Sequence, residues 1–265
     1  MEYSSEEEFL QAYNAEEFER LSVTVDLIMF GIKNQNTTNY RKLNGKKLSV
    51  LLNQRTEYPC LNKWSLPGGF VQIEENLDTA AERILERETD LKNIYMEQLY
   101  TFGKVKRDPR MRIISTAYMS LINRESLKMP TSDKAIWFDI DMKRENNKIT
   151  VKLSHEDVVL KISGTEEKGK IKITSSAGFA FDHDLILLTG ISRLKNKINY
   201  TDIVFNLLPK KFTLTELQMI YEAILNEKLF PAAFRRIIAA KVQNTGEYLT
   251  GAGHRPSQLY IQKKD

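Results

Sequence analysis

Gly68-Gly-Phe-Val-Gln-Ile-Glu-Glu-Asn-Leu-Asp-Thr-Ala-Ala-Glu-Arg-Ile-Leu-Glu-Arg-Glu-Thr-Asp90 reads as a glycine-led loop running into an amphipathic helix. Apolar residues at 77, 80, 81, 84, 85 and 91 recur at helical spacing and define the face that seeks a core. Positions three and four apart are neighbours on a helix, so Ile84, Arg87 and Glu88 form one cluster of side chains. That cluster holds a single carboxylate. Glu82 and Glu86 sit about 160 to 200° around the helix from position 84 and do not join it. Ile84 widens the buried stripe, which is a structural reason for its presence.

Strand signals flank this helix on both sides. Residues 21–30 and 48–52 alternate and are rich in β-branched types, with a polar loop at 34–44 between them. Residues 113–122 predict another strand. Shorter alternating segments at 137–142, 149–153, 158–162 and 171–174 are separated by turn residues at Asn146-Asn147, Gly164 and Gly169. They suggest a β-hairpin excursion from the core sheet over 135–176. A short N-terminal helix is expected over 5–17 and another helix over 182–195, with Asp182 as its cap. Asn196 to Asn199 is the best place for a linker, which divides the chain into 1–198 (1–20 being its N-terminal helix) and 199–265.

The last segment has its own order of elements. Thr213 and Glu216 form a capping box for a helix whose apolar face is Leu214, Leu217, Ile220, Tyr221, Ile224 and Leu225. A break at 226–229 precedes a second helix over 231–242, with Pro231 in its first turn and Phe234, Ile237 and Ile238 inward. Arg235, Arg236 and Lys241 are left to solvent or an anion. Two strands over 247–261 surround a Gly-rich tip that carries His254 and Arg255. Helix, turn, basic helix and β-hairpin wing is an order used to read DNA. A small accessory domain that only mediates dimerisation would share the pattern.

Composition sets the class of protein. With 265 residues, 42% hydrophobic and 28% charged, the chain has the make-up of a globular protein of about two domains. No apolar run approaches 18 residues, and glutamates at 2, 6, 7, 8, 16, 17 and 19 make the start acidic, so neither a signal peptide nor a membrane span is expected. Cys60 is the only cysteine, which excludes an internal disulfide and a cysteine metal knuckle and suggests a cytoplasmic address. The net charge of +4 lies wholly in 205–265, where nine Lys or Arg face five acids, while the rest of the chain balances. A basic module joined to a neutral one suggests an anionic partner. His155, His183 and His254 are too scattered for a zinc site, and no Ser-His-Asp order, P-loop, internal repeat or low-complexity tract is visible.

Gly69, five residues, Glu75, seven residues and Arg83 resemble the Nudix box, as do Leu85, Glu88 and Leu91. Ile84 and Arg87 depart from it where the family has glutamates, and Asp90 where it has glycine. With Leu66-Pro-Gly-Gly-Phe-Val71, Asp108-Pro-Arg110, Arg112-Ile-Ile-Ser115, Ala180-Phe-Asp-His183, Leu207 to Leu217, Phe234-Arg-Arg236 and Arg255-Pro-Ser-Gln-Leu-Tyr260, the chain is similar to the Nudix-related transcriptional regulators of the NrtR type over about 21–122 and 179–261. Those regulators control NAD or sugar metabolism in bacteria.

The resemblance implies an α/β (α+β) fold: a Nudix α/β/α sandwich with a mixed sheet that senses ADP-ribose or a related nucleotide, then a winged helix-turn-helix that binds double-stranded operator DNA as a homodimer. It carries ligand binding onto Gly68, Gly69, Phe70, Arg83, Glu88, Arg110 and Arg112. Arg83 has the alternative role of an internal ion pair with Glu75, and Phe70 that of a core residue. It carries DNA binding onto Thr213, Thr215, Arg235, Arg236, Lys241 and Arg255, in phosphate positioning rather than base readout. In Nudix hydrolases the helix carboxylates hold Mg2+ or Mn2+ against a pyrophosphate. Ile84 offers no oxygen and Arg87 places a permanent positive charge there, so no catalytic residue is expected intact and no cofactor is required. The alternative is a divergent MutT-like hydrolase of ADP-ribose or another nucleoside diphosphate derivative, with the metal on Glu75, Glu88 and a carboxylate outside the box.

Overall fold

The computed structural model describes residues 5–35, 45–124, 127, 135–250 and 256–263. Its centre is strand β1 (Ser22–Asn34), buried on both faces from Val25 to Ile32. Alternation with period two sends Val25, Leu27 and Met29 to one side and Ile28, Phe30 and Ile32 to the other. A strand covered on both faces reads as a continuous apolar run. β1 pairs in parallel with β6 (Ile113–Asn123) and antiparallel with β2 (Lys46–Gln54) and with the short β4 (Gly68–Phe70). β3 (Trp64–Ser65) adds to β2, and β5 (Met96–Phe102) forms the outer edge beyond β6.

Helix α2 (Leu77–Thr89) covers the first face. Asn76 caps it by accepting from Thr79 N at 2.8 Å, and Ala80, Ala81, Ile84 and Leu85 pack on Val25, Leu27 and Met29. The helix ends at Asp90, whose φ of 57° is left-handed. That conformation explains why glycine stands here in the Nudix box, and aspartate is among the few other residues that tolerate it. Helix α3 (His183–Lys197) covers the second face. It approaches β1 closely at Gly190, where a Cβ would stand 2.3 Å from Ile28 Cδ1. The result is an α/β/α sandwich with a mixed sheet.

Residues 135–176 do not leave this sheet as an excursion. β7 (Ala135–Glu145) pairs with β2, and β8 (Lys148–His155), β9 (Val158–Glu167) and β10 (Lys170–Ser176) continue as an antiparallel meander in the order β10-β9-β8-β7-β2-β1-β6-β5. Ile149, Val151, Leu153 and Ile162 are buried in the core that α3 covers, which is the physical reason the segment stays with the sheet. The N-terminal helix α1 (Glu6–Ala12) is capped by Ser5 and buries no residue.

The segment expected as a linker is packed. α3 runs through Lys197, Ile198 is buried, and a 3-10 turn over Ile203–Leu207 places Ile203, Val204, Phe205 and Leu207 in the core. Helix α4 (Leu214–Leu225) follows with the expected capping box and packs against β2. Helix α5 (Pro231–Ile238) is four residues shorter than expected, because the chain tightens into a 3-10 turn over Ala239–Lys241 and enters strand β11 at Val242. Ile237 is exposed rather than inward, since Phe234 and Ile238, four apart, already make the buried stripe. β11 (Val242–Leu249) and β12 (Ser257–Gln262) form the wing, tied to Phe212 through paired backbone bonds with Tyr260.

The αL residue gives a stability test. Asp90→Val is expected to cost about 1–2 kcal/mol, because a β-branched side chain is poorly tolerated at positive φ, whereas Asp90→Gly is expected to be neutral or stabilising. Urea unfolding of the two variants measures the difference.

Candidate functional site

A cleft of about 520 Å³ opens over the C-terminal end of β2, the β4 loop and the N-terminal end of α3. Its floor is Asp26, a carboxylate on the doubly buried β1. Arg107 Nη2 reaches Asp26 Oδ2 at 3.3 Å and Asp182 Oδ1 at 2.7 Å, while its Nε donates to Asp182 Oδ2 at 3.1 Å. Ser115 donates to Asp26 as well. His183 Nδ1 accepts from Leu66 N at 2.9 Å, which puts its proton on Nε2, 3.6 Å from Asp26 Oδ1. Burial holds the His183 imidazole below its ordinary 6.5, so it stays neutral. Asp182 stands where an N-cap belongs but makes no side-chain cap bond; Arg107 has taken its carboxylate.

The rim carries cations against aromatic rings. Arg110 is gripped by Asp108 through Nε (3.0 Å) and Nη2 (2.9 Å), and its Cζ lies 5.6 Å from the Phe70 ring centroid and 5.8 Å from that of Phe181. Burial works against ionisation of Asp108, but Arg110 and the Arg110 backbone N–H outweigh it and hold the carboxyl below the usual range. Arg55 Cζ lies 5.1 Å from the Phe181 centroid, and among the described residues no carboxylate pairs with it. Phe181 has φ 51°, a strained conformation for an aromatic residue. Strain of this kind persists where surrounding structure over-determines it, often at binding sites. Gly68 admits the loop to the floor, for a Cβ there would stand 2.5 Å from Asp26 Oδ1.

Of the residues expected to bind ligand, Gly68, Gly69, Phe70 and Arg110 line this cleft. Arg83 does not: it pairs with Glu75 at 3.0 and 2.5 Å and donates to Phe70 O at 3.1 Å, so it orients the loop. Arg112 is also elsewhere, with Nη1 on Gly103 O at 2.9 Å. Glu88 is buried beneath the wall, where Arg87 contacts Oε1 at 2.6 and 2.9 Å and Asn53 donates to Oε2 at 3.2 Å. Arg55, Arg87, Arg107 and Phe181 line the cleft without having been assigned from sequence. Phe181 lay inside a quoted motif; Arg55 carried no signal.

The residues do not fit a Nudix metal. Ile84 is fully buried, Arg83 occupies Glu75, and Arg87 occupies Glu88. Of the cleft carboxylates outside the box, Asp26 is spent on Arg107 and Asp108 on Arg110, while Glu57 stands exposed at the rim. Among the described residues no three His, Cys, Asp or Glu groups converge on a metal-sized space.

In the C-terminal part, Arg235 and Arg236 are exposed on α5. Arg235 and Thr215 line a groove of about 460 Å³ between α4 and the Lys46-Lys47 end of β2. Two expected DNA contacts are committed inward. The Thr213 hydroxyl is buried and accepts from Glu216 N at 3.1 Å, and Lys241 pairs with Asp202 at 2.7 Å and donates to Thr201 O at 3.2 Å. Each completes its own packing first. Arg255 lies outside the described residues.

Removing the central cation tests the floor. Arg107→Met is expected to destabilise the protein by about 3–5 kcal/mol, because it leaves Asp26 and Asp182 without their buried counter-charge; urea unfolding measures it. The neutral His183 adds a pH dependence. Its folded value lies below 6.5, so the unfolded chain takes up the proton first and stability falls as pH drops through 6.5. Thermal unfolding from pH 8 to 5 is expected to show a shallower acid-side loss in His183→Gln.

Comparison with known proteins agrees with both halves of this architecture. A family model described as the NUDIX domain matches residues 37–155, and one described as the NrtR DNA-binding winged helix domain matches 204–261. The chain is 34% identical, over 97% of its length and 88% of the relative, to the ADPR responsive transcriptional repressor NtrR of Acinetobacter baylyi. A MutT/nudix family protein from Enterococcus faecalis has a similar structure, with TM-score 0.73 and 28% identity over 98% of this chain and 94% of that one. NrtR of Shewanella oneidensis, solved in complex with a 27mer DNA, aligns with TM-score 0.65 and 27% identity over 91% of this chain and 93% of that one. Nudix-like sandwich, altered box and winged helix thus occur together in one chain, and the chain belongs to the NrtR-type family of Nudix-related transcriptional regulators.

Proposed function

We propose that this protein is a transcriptional repressor that senses ADP-ribose or a closely related nucleotide in the cleft and binds double-stranded operator DNA through the winged helix. The observation that carries the reading is that the elements forming the cleft also hold the winged helix. β2 brings Asn53 and Gln54 to the cleft and packs along α4. α3 starts at the Asp182-His183 floor and ends where Lys195 Nζ donates to Leu225 O, the last residue of α4, at 2.8 Å. Arginines beside aromatic rings suit a diphosphate joined to an adenine. The Acinetobacter baylyi relative is itself named for ADP-ribose response, and the Shewanella oneidensis one was crystallised on DNA.

The protein acts as a reader and not as a hydrolase, and it requires no metal cofactor. It works as a homodimer on a palindromic site, in the cytoplasm, in control of NAD or sugar metabolism. No helix among the described residues is long and apolar enough to cross a membrane. If ligand changes DNA affinity by some factor, DNA changes ligand affinity by the same factor.

Gel retardation of the DNA upstream of the protein's own gene tests this. Binding is expected at low salt, weakening steeply as salt rises, and ADP-ribose is expected to shift it. The double variant Arg235→Ala/Arg236→Ala is expected to reduce the slope of log affinity against log salt by roughly two, about one per lost phosphate contact. No retardation with or without ADP-ribose overturns the reading. So does metal-dependent release of AMP from ADP-ribose at an enzyme's rate.

A further inference from the structure

Arg87 stands in the helix cluster that holds metal in a Nudix hydrolase, and it lines the cleft. Its guanidinium is anchored from behind: Nε and Nη2 both contact Glu88 Oε1, at 2.9 and 2.6 Å, and Nη2 lies 3.3 Å from Gly68 O. Glu88 is buried, with Asn53 on its other oxygen, so the anchor is rigid. The Arg87 side chain keeps half its surface exposed. The same cleft receives Arg55 and Arg110.

We infer that Arg87 is a tethered replacement for the metal ion: it receives the diphosphate of the ligand, so that binding is independent of divalent cations and cleavage does not follow. This rests on the ADP-ribose reading given above. A guanidinium supplies a permanent charge and planar N–H donors that match phosphate oxygens. It supplies no coordination position for water and does not make a water acidic, and those are the two services by which a metal drives hydrolysis. The single residue therefore preserves recognition of the diphosphate and removes the chemistry. The Glu88 contact has a second effect. It spends the one helix carboxylate that would otherwise repel the phosphates.

Calorimetric titration of the full chain with ADP-ribose, in EDTA and again in excess Mg2+, provides the test. The expected result is the same affinity in both. Arg87→Gln is expected to bind about tenfold or more weakly, the size of a lost charged hydrogen bond, and Arg87→Lys to recover part of the loss. Unliganded melting of each variant separates a binding defect from unfolding. Wild-type affinity that appears only with Mg2+, or a folded Arg87→Gln that binds as tightly as wild type, overturns the inference and leaves the ligand reading standing. Wild type that binds no ADP-ribose in either buffer overturns the ligand reading, and this inference with it.

Discussion

Asp26 is a carboxylate on a strand buried on both faces, and such a group persists only if its charge is answered. The structure around the cleft is organised by that requirement. Arg107 comes in from the β5–β6 connection to pair with it, Ser115 of the parallel neighbour β6 donates to it, and Asp182 shares the same Arg107 guanidinium. The entry to α3 is thereby fixed, and His183 passes the constraint to Leu66 and so to the β4 loop. Gly68 lets that loop lie against the carboxylate. One buried charge sets the positions of β4, α3 and the cleft between them.

The charges at the cleft are distributed unevenly. Asp26 and Asp108 are each answered by an arginine and Arg87 is paired with Glu88 while half its surface stays exposed, whereas Arg55 has no carboxylate partner among the described residues. A Nudix hydrolase needs its helix to be a nest of carboxylates that recruits cations. Here the helix face divides between an apolar contact at Ile84, buried against β1, and a cation at Arg87. Both changes move the cleft toward holding an anion directly. Arg83 and Glu75 keep their pairing because it orients the loop, a task that survives loss of catalysis.

What the sequence disclosed follows from the range of each interaction. The α2 stripe, the Thr213–Glu216 capping box and the alternation of β1 are local and periodic, and each was legible without the fold. Lys241 looked available because its partner Asp202 lies on another element, and Thr213 because a capping residue is also a common phosphate contact. Arg55 entered the cleft unannounced, since it sits in a loop with no pattern and is aimed by Pro59 O at 2.8 Å. The 135–176 strands were legible as strands, but their continuation of the main sheet depended on the β2–β7 pairing, which no spacing encodes.

The placement of residues 199–208 bears most directly on how a ligand signal travels. A flexible linker would let the winged helix reorient without cost, and occupancy of the cleft would then pass unnoticed. Instead Ile198, Ile203, Val204, Phe205 and Leu207 join one continuous core with Leu217, Ile220 and Ile224 of α4 and with Phe138 and Ile140 of the sheet. Asn226 at the end of α4 donates to Met142 O at 2.5 Å, and Lys195 of α3 pairs with Glu227 at 3.5 Å. Packed interiors shift between discrete arrangements rather than deform smoothly. α3 spans about 22 Å at 1.5 Å per residue, with its first residue on the cleft floor and its last turn against α4. A ligand that draws on Arg110 or displaces Phe181 acts on the chain immediately before that rod, at a residue held at the strained φ of 51°.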